Sequence, residues 1–267
     1  MGLPSTLPAK NGFGNYMSPE MQRRYPGIQF SQFMGAEMLV KKYGLTRAQL
    51  DQFSLLSHQR AMAATKAGLF QQEIVPIEIE MPDGTKQMHV MDEGIRPDAT
   101  LEGISSVKLL QEGGALTAAS ASQICDGASG VMVVSERGLK TLGVQPLARV
   151  HHMSLMGHDP VIMLEAPLPA TMRALKKAGM SINDIDLFEV NEAFASVPVS
   201  WLQYTGADPE RLNVNGGAIA LGHPLGGSGT KLMTTLIHAL KQRNKRWGLQ
   251  TMCEGGGMAN VTIVERL

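Results

Sequence analysis

The sequence has 267 residues, 43% hydrophobic and 18% charged, with 24 basic against 24 acidic side chains and a formal net charge of zero. That is enough apolar chain for one large domain or two modest ones, and the balance excludes an electrostatic grip on nucleic acid or an anionic membrane. No apolar run reaches the length of a bilayer span, and the two cysteines, Cys125 and Cys253, form no C-x-x-C pair. They read as free thiols in a reducing compartment, the cytoplasm, rather than as a zinc cage or a redox motif.

Residues 1–30, rich in Pro, Gly, Asn and Met, read as a loop excursion. Met1-Gly2 starts like a myristoylation signal, but no basic cluster follows. A short helix is expected over 31–43 with Gly44 as its C-cap. The next helix carries a capping box, Thr46 with Gln49, and a staple of Leu45 on Leu50. Leu50, Phe53, Ser57, Ala61 and Ala64 then recur at helical spacing up to Gly68. Residues 73–91 read as a hairpin turning at Met81-Pro82-Asp83-Gly84. A helix over 101–110, a small polar stretch over 116–128 and a strand, GVMVVSE, over 130–136 follow.

From Val144 the texture becomes strand, helix, strand, helix, which predicts a layered α/β domain over 144–267. Pro169 is read as the N1 residue of a helix ending at Gly179, with Thr171, Ala174, Leu175 and Ala178 on one face. DLFEV is a buried strand running straight into a helix, NEAFASVPVSWL. A Gly-rich turn at 215–229 opens the helix TKLMTTLIHALKQ. The chain closes on GLQTMC, a glycine triplet and MANVTIVER.

Three segments place a polar residue at a strand end beside a glycine-rich or helix-opening turn, where α/β sheets gather their chemistry. In Asn191-Glu192-Ala193-Phe194-Ala195, position alone makes Asn191 a helix N-cap and puts Glu192 in the first turn, where the helix dipole favours it. In the second, 215–229, several glycines and Pro224 surround His223. The order Gly229-Thr230-Lys231 does not fit a phosphate loop. In the third, Cys253 precedes Glu254 and three glycines, which leave its thiol uncrowded and offer N–H donors. Taken alone, Cys253 can also be read as a buried structural residue.

NEAFA, then N-x-N-G-G-A-I-A-x-G-H-P-x-G-x-S-G, then C-x-G-G-G-M, in that order, resemble the thiolase family. DEGIRPDATLE, LTAASASQICDGAS and APLPA resemble it too, so the likeness runs over about 31–267. It implies a layered αβαβα fold, with a complete C-terminal half-domain over 144–267. Residues 1–115 would form a loop region that acts as lid and coenzyme A site, and 116–143 the tail of the N-terminal half-domain. The implied reaction is thiolytic cleavage of 3-oxoacyl-CoA with coenzyme A, or the reverse Claisen condensation. Coenzyme A and acyl-CoA are then substrates, with no permanently bound cofactor, no metal, no nucleic acid and no membrane partner. The complete enzyme would be a homo-oligomer.

The same resemblance assigns residues. Cys253 is the acid/base cysteine, a role that suits a thiol whose pKa backbone donors pull toward neutrality. His223 activates the nucleophile and donates to the enolate oxygen. Asn191 holds the water that is the second donor of that oxyanion hole. The Gly255 N–H belongs to the other hole. Removing one such donor typically costs roughly 3–4 kcal/mol of barrier stabilisation. Arg96 falls near the adenine, or is a solvated loop charge. Ala118 and Ser122 line the pantetheine arm, and Met163 and Phe194 lie beside it or in the acyl pocket.

The family's nucleophilic cysteine has no counterpart in this sequence. Cys125 matches a position that is not the nucleophile, and the strand 130–136 would lack its sheet partners. The chain therefore reads as an N-terminally truncated form, as one part of a site completed by another chain, or as a non-catalytic, coenzyme A-binding homologue. Met163-Leu164-Glu165-Ala166-Pro167 replaces the glycines of Met-Gly-x-Gly-Pro, and Glu254 replaces an apolar residue. Both leave the size of the acyl group open.

Overall fold

The computed structural model describes residues 17–267. The loop reading of 1–16 and the Met1-Gly2 signal lie outside the described residues.

Part of the expected loop is helical. Helix α1, Pro19–Arg24, is capped by the Ser18 side chain, with a proline in its first turn. The missing N–H of that proline costs nothing there, because first-turn donors have no intrahelical partner. Helix α2, Gln32–Tyr43, starts on the Ser31 cap and ends on left-handed Gly44, as expected. Helix α3, Arg47–Lys66, carries the Thr46–Gln49 capping box and buries Leu50, Ser57, Ala61 and Ala64 on one face. It ends one residue early, on Ala67 rather than Gly68.

The hairpin forms as β1, Ile77–Glu80, and β2, Lys86–His89. Helix α4, Leu101–Ser106, stops short of the predicted 110 because Val107 turns extended and Leu109 bridges to Thr117. The strand expected over 130–136 is absent. Residues 127–135 make no ladder, Val131, Met132 and Val133 are exposed, and α5, Glu136–Leu142, begins where the strand was to end. β-branched side chains favour an extended path, but only a neighbouring strand turns that path into sheet.

The remaining chain forms β3 (Ala148–Gly157), α6 (Pro167–Ala178), β4 (Leu187–Val190), α7 (Ser196–Thr205), α8 (Ala218–Leu221), α9 (Ser228–Gln242), β5 (Trp247–Glu254) and β6 (Met258–Arg266). Pro167, not Pro169, stands at the start of α6. The strands make one sheet in the order β3-β6-β5-β4, with β4 and β5 parallel and the other pairs antiparallel. On one face, Val190, Leu249, Val261 and Ile263 pack with Leu168, Ala174 and Leu175 of α6 and Trp201 of α7. On the other, Leu187 and Val264 pack with Leu236, Ala239 and Leu240 of α9. Trp201 is fully buried, stands edge-on to Phe188 and donates its indole N–H to Thr171 Oγ1 at 2.9 Å. Among the described residues, no helix is long and apolar enough to cross a membrane.

Candidate active site

The parallel pair β4–β5 fixes the site, because both strands end at the same edge of the sheet. Val190 lies opposite Thr251, and the Asn191 N–H donates to the Thr251 carbonyl at 3.1 Å. Asn191, the first residue past β4, is therefore level with Met252 on β5, one residue before Cys253. Helix α7 begins only at Ser196, so Asn191 is not the N-cap that its position suggested.

Residues 191–195 instead make a buried turn. Glu192, expected in a first helical turn, is enclosed. It accepts from Ser57 Oγ (2.7 Å), Asn213 Nδ2 (2.8 Å) and the Ile219 N–H (3.1 Å). Burial raises its pKa against these donors. The carboxylate lies so close under the Gly-rich turn that a Cβ on Gly217 would come within 2.2 Å of it. Glycine is required there for the approach of two segments. Glu192 thus ties the turn carrying His223 to the turn carrying Asn191.

His223 is oriented at both ring nitrogens. Nδ1 meets Ser228 Oγ, and Ser228 Oγ donates to the Pro224 carbonyl at 2.9 Å. The hydroxyl proton is thereby committed, so Nδ1 carries the ring proton and donates to Ser228. Nε2 is left as an acceptor, 3.4 Å from Asn191 Nδ2. Burial, helped by the charge of Lys231, lowers the imidazole pKa. A neutral ring with a free Nε2 is equipped as a base; once protonated, the same atom is a donor. The His223 N–H is held by the Gln123 carbonyl at 2.9 Å, while Gln123 Nε2 donates to the carbonyls of Gly94 and Ile219.

A cavity of about 10 Å³ abuts Asn191, walled also by Glu189, Gly217, Ser228, Lys231 and Thr235. That is room for one water. Among the described residues, Asn191 Oδ1 and Glu189 Oε2 have no hydrogen-bond partner. Burial, then the charge of Glu192, pushes the Glu189 carboxyl well above the usual range.

Cys253 is half-buried near the end of β5 and packs against the core cluster that contains Met163 and Phe194. Its thiol is not drawn toward neutrality as expected. Burial, and then the charge of Glu254, push it up to about 12 despite its own backbone donor. At neutral pH Cys253 is a protonated thiol. Gly255 lies exposed in the turn joining β5 to β6.

The remaining expected contacts divide. The Ser122 N–H donates to the Ala193 carbonyl at 3.0 Å, and Ala121 bridges to Phe194, so the 116–123 segment lines the 191–195 turn. Arg96 makes none of the side-chain bonds of this centre among the described residues. It is exposed, and its N–H donates to His58 Nδ1 at 3.2 Å. Ala118 is exposed in a short 3-10 turn. Cys125 packs against Gly222, and burial raises its thiol pKa, so it is not an activated nucleophile. Both cysteines are free.

Sequence reasoning did not assign Ser228, the structural role of Glu192, or Phe33, which stands edge-on to Phe194 at 5.4 Å. A serine five residues after the histidine, at a helix start, was a readable signal. The Phe33 contact had none, because it joins distant segments.

Comparison with known proteins identifies the family and the fold. The family description "Thiolase, N-terminal domain" matches residues 25–137, and "Thiolase, C-terminal domain" matches 144–266. The chain is 51% identical over 250 residues to the steroid 3-ketoacyl-CoA thiolase FadA6 of Mycobacterium tuberculosis, covering 94% of this chain and 60% of that protein. It is 46% identical over 237 residues to a 3-ketoacyl-CoA thiolase of Cronobacter sakazakii, covering 87% and 61%. Its fold matches the Bacillus anthracis acetyl-CoA acetyltransferase with a TM-score of 0.86 at 37% identity, covering 91% of this chain and 61% of that one. Human mitochondrial 3-ketoacyl-CoA thiolase in complex with CoA matches at 0.80 and 39%, covering 88% and 58%. The chain thus spans about 60% of the length of these relatives. It has the thiolase fold over that span, and it belongs to the thiolase family.

Proposed function

We propose that this chain supplies the acid/base and oxyanion-hole part of an acyl-CoA C-acyltransferase that cleaves 3-oxoacyl-CoA with coenzyme A or runs the reverse condensation. The observation that carries the reading is the oriented imidazole of His223, with Nδ1 fixed by Ser228 and Nε2 facing Asn191 at the edge where β5 delivers Cys253. The reading requires a nucleophilic thiol from outside these 267 residues, since neither Cys125 nor Cys253 fits that role.

In the cleavage direction, His223 Nε2 takes the proton of that thiol, and the thiolate adds to the 3-oxo carbon. The Cα–Cβ bond breaks, leaving an acyl-enzyme thioester and the enolate of the shorter acyl-CoA. Protonated Nε2 and a water held by Asn191 stabilise the enolate oxygen. Cys253 gives its proton to Cα, releasing the first acyl-CoA, and its thiolate then takes the proton of the incoming coenzyme A thiol. The coenzyme A thiolate adds to the acyl-enzyme carbonyl, the enzyme thioester breaks to release the chain-shortened acyl-CoA, and the freed enzyme thiolate takes back the proton held by His223. A protonated Cys253 thiol is in the state that proton delivery to Cα needs. The Gly255 N–H serves the oxyanion at the acyl-enzyme carbonyl.

A bulky acyl group is favoured by the 51% identity to a relative named for steroid 3-ketoacyl-CoA. Arg96, Ala118, Ser122, Met163 and Phe194 are proposed to hold the coenzyme A and acyl moieties. We further propose that the complete protein is a homo-oligomer of a reducing compartment, the cytoplasm.

A second reading, a coenzyme A-binding subunit without turnover, is favoured by the unactivated thiol of Cys125. One experiment separates the two: the purified chain is given acetyl-CoA in D₂O, and the deuterium content of the acetyl methyl is followed by NMR alongside a calorimetric titration with coenzyme A. Binding with exchange supports the first reading. Binding without exchange supports the second, and absence of both overturns the first.

A further inference from the structure

Glu165 is buried, yet three side chains reach it from two directions. From α2, Lys42 Nζ donates to Oε2 at 2.8 Å and Tyr43 OH donates to Oε1 at 2.5 Å. From its own segment, His158 Nε2 lies 3.0 Å from Oε2. Burial works against the charged form, but the donors prevail and hold the carboxyl below the usual range. Tyr43 responds oppositely: burial first, then the bond to Glu165, raise its phenol, with Tyr204 of α7 adding a smaller push. Lys42, Tyr43 and His158 are the charged and titratable groups bonded to the carboxylate, with Tyr204 behind them.

The residue at the other end of this network is the glycine triplet. The His158 N–H donates to the Gly257 carbonyl at 2.7 Å. Gly257 has a φ of 79°, and a Cβ there would meet the Asp159 carbonyl at 2.7 Å, so the turn is pressed onto the 158–160 backbone. The Met163 N–H closes back on the Asp159 carbonyl at 3.0 Å, with Met163 itself at a φ of 49°. On its far side, Gly35 of α2 packs so closely that a Cβ would sit 2.7 Å from the Ile162 carbonyl. The 158–163 bend is therefore clamped between α2 and the turn that follows Cys253, and Glu165 bonds both to α2 and to the bend.

We propose that Glu165 is a positioning residue that acts through His158 and the 158–163 bend to hold the 255–257 turn, and so sets the seating of Cys253. The sequence singled out Met163-Leu164-Glu165-Ala166-Pro167 only as a departure from the family's glycines. The structure gives that departure a task. The inference rests on the reading of Cys253 as the proton carrier only for its catalytic consequence. The linkage is a matter of geometry.

The test is the rate of Cys253 alkylation by iodoacetamide as a function of pH, read on the Cys253 peptide by mass spectrometry, so that Cys125 does not interfere. In Glu165→Ala the turn loosens, water reaches the thiol, and alkylation at pH 8 rises about tenfold, the equivalent of one pKa unit toward the ordinary cysteine value. Glu165→Gln keeps a carboxamide oxygen for Tyr43 and stays within about threefold of the parent, a rescue that loss of packing would not give. If Glu165→Ala does not fold, His158→Ala and Tyr43→Phe, which cut one bond each, decide the matter by the same rise on a smaller scale. A folded Glu165→Ala with the parent rate and pH profile overturns the proposal, as do folded His158→Ala and Tyr43→Phe variants that both keep them. Because the readout is alkylation and not turnover, failure of the acyltransferase reading would show separately, as absent deuterium exchange with the Glu165 link intact.

Discussion

The sheet built from 148–157 and 187–266 and the segment 127–135 carry similar apolar residues and meet opposite fates. In β6, Val261, Ile263 and Val264 are buried, with a neighbouring strand on each side and helices on both faces. In the other segment, Val131, Met132 and Val133 join no ladder and are exposed. β-propensity is mostly a record of what a side chain packs against, so the same run is a strand only where partners stand. The start of the unpaired segment is still tied to the turn that carries His223, because Ser129 Oγ donates to the Gly227 carbonyl at 2.5 Å and Gly127 lies against Pro224.

The largest predicted break falls in the packed region. Trp201→Ala removes a fully buried ring that contacts Phe188 and bonds Thr171, and is expected to cost about 3–5 kcal/mol in denaturant unfolding. Gly217→Ala follows, at about 3 kcal/mol, because its new Cβ meets a buried carboxylate that three donors hold in place. It should also disturb His223, seen as a shift in the imidazole NMR titration.

A third prediction sharpens the contrast through pH. Burial, partly offset by Lys231, raises Glu73 from 4.5 to about 7. The folded chain therefore keeps a proton that the unfolded chain releases between those values. The contribution to stability is fully present below about 4.5 and is lost as pH rises through about 7. Glu73→Gln removes that loss, so it should be more stable than the parent by about 1–3 kcal/mol at pH 8, with the gain vanishing by pH 4.5. The smallest effect belongs to the unpaired segment: Val133→Ser should change unfolding free energy by less than about 0.5 kcal/mol. A larger loss would mean that 131–133 is packed after all.

What the sequence made legible follows the range of the interactions. The Thr46–Gln49 capping box, the Gly44 cap, the hairpin at Asp83-Gly84 and the strand–helix alternation after Val144 are set by neighbours within a few residues. The early helix at Pro19, the late start of α7 and the failed strand at 130–136 depend on a cap in an unpromising stretch, on a buried turn and on absent partners. At the site, Asn191, His223 and Cys253 stood out because glycines and strand ends flank them. Glu192 and Glu165 did not, because each bonds segments that only the fold brings together, whereas Ser228 lies five residues after His223 and was within reach of the sequence. The raised pKa of Cys253 was also beyond the sequence, since burial at the end of β5 outweighs the donors that its glycines advertise.

The most direct test of the central claim, that the thiolase acid/base pair resides in Cys253 and His223, repeats the deuterium exchange at Cα of acetyl-CoA with variants. Cys253→Ser and His223→Ala should each slow exchange by about 100-fold or more while leaving coenzyme A binding within a few-fold. Cys125→Ser should exchange at the parent rate. Exchange that survives Cys253→Ser, or that is lost with Cys125→Ser, would contradict the account.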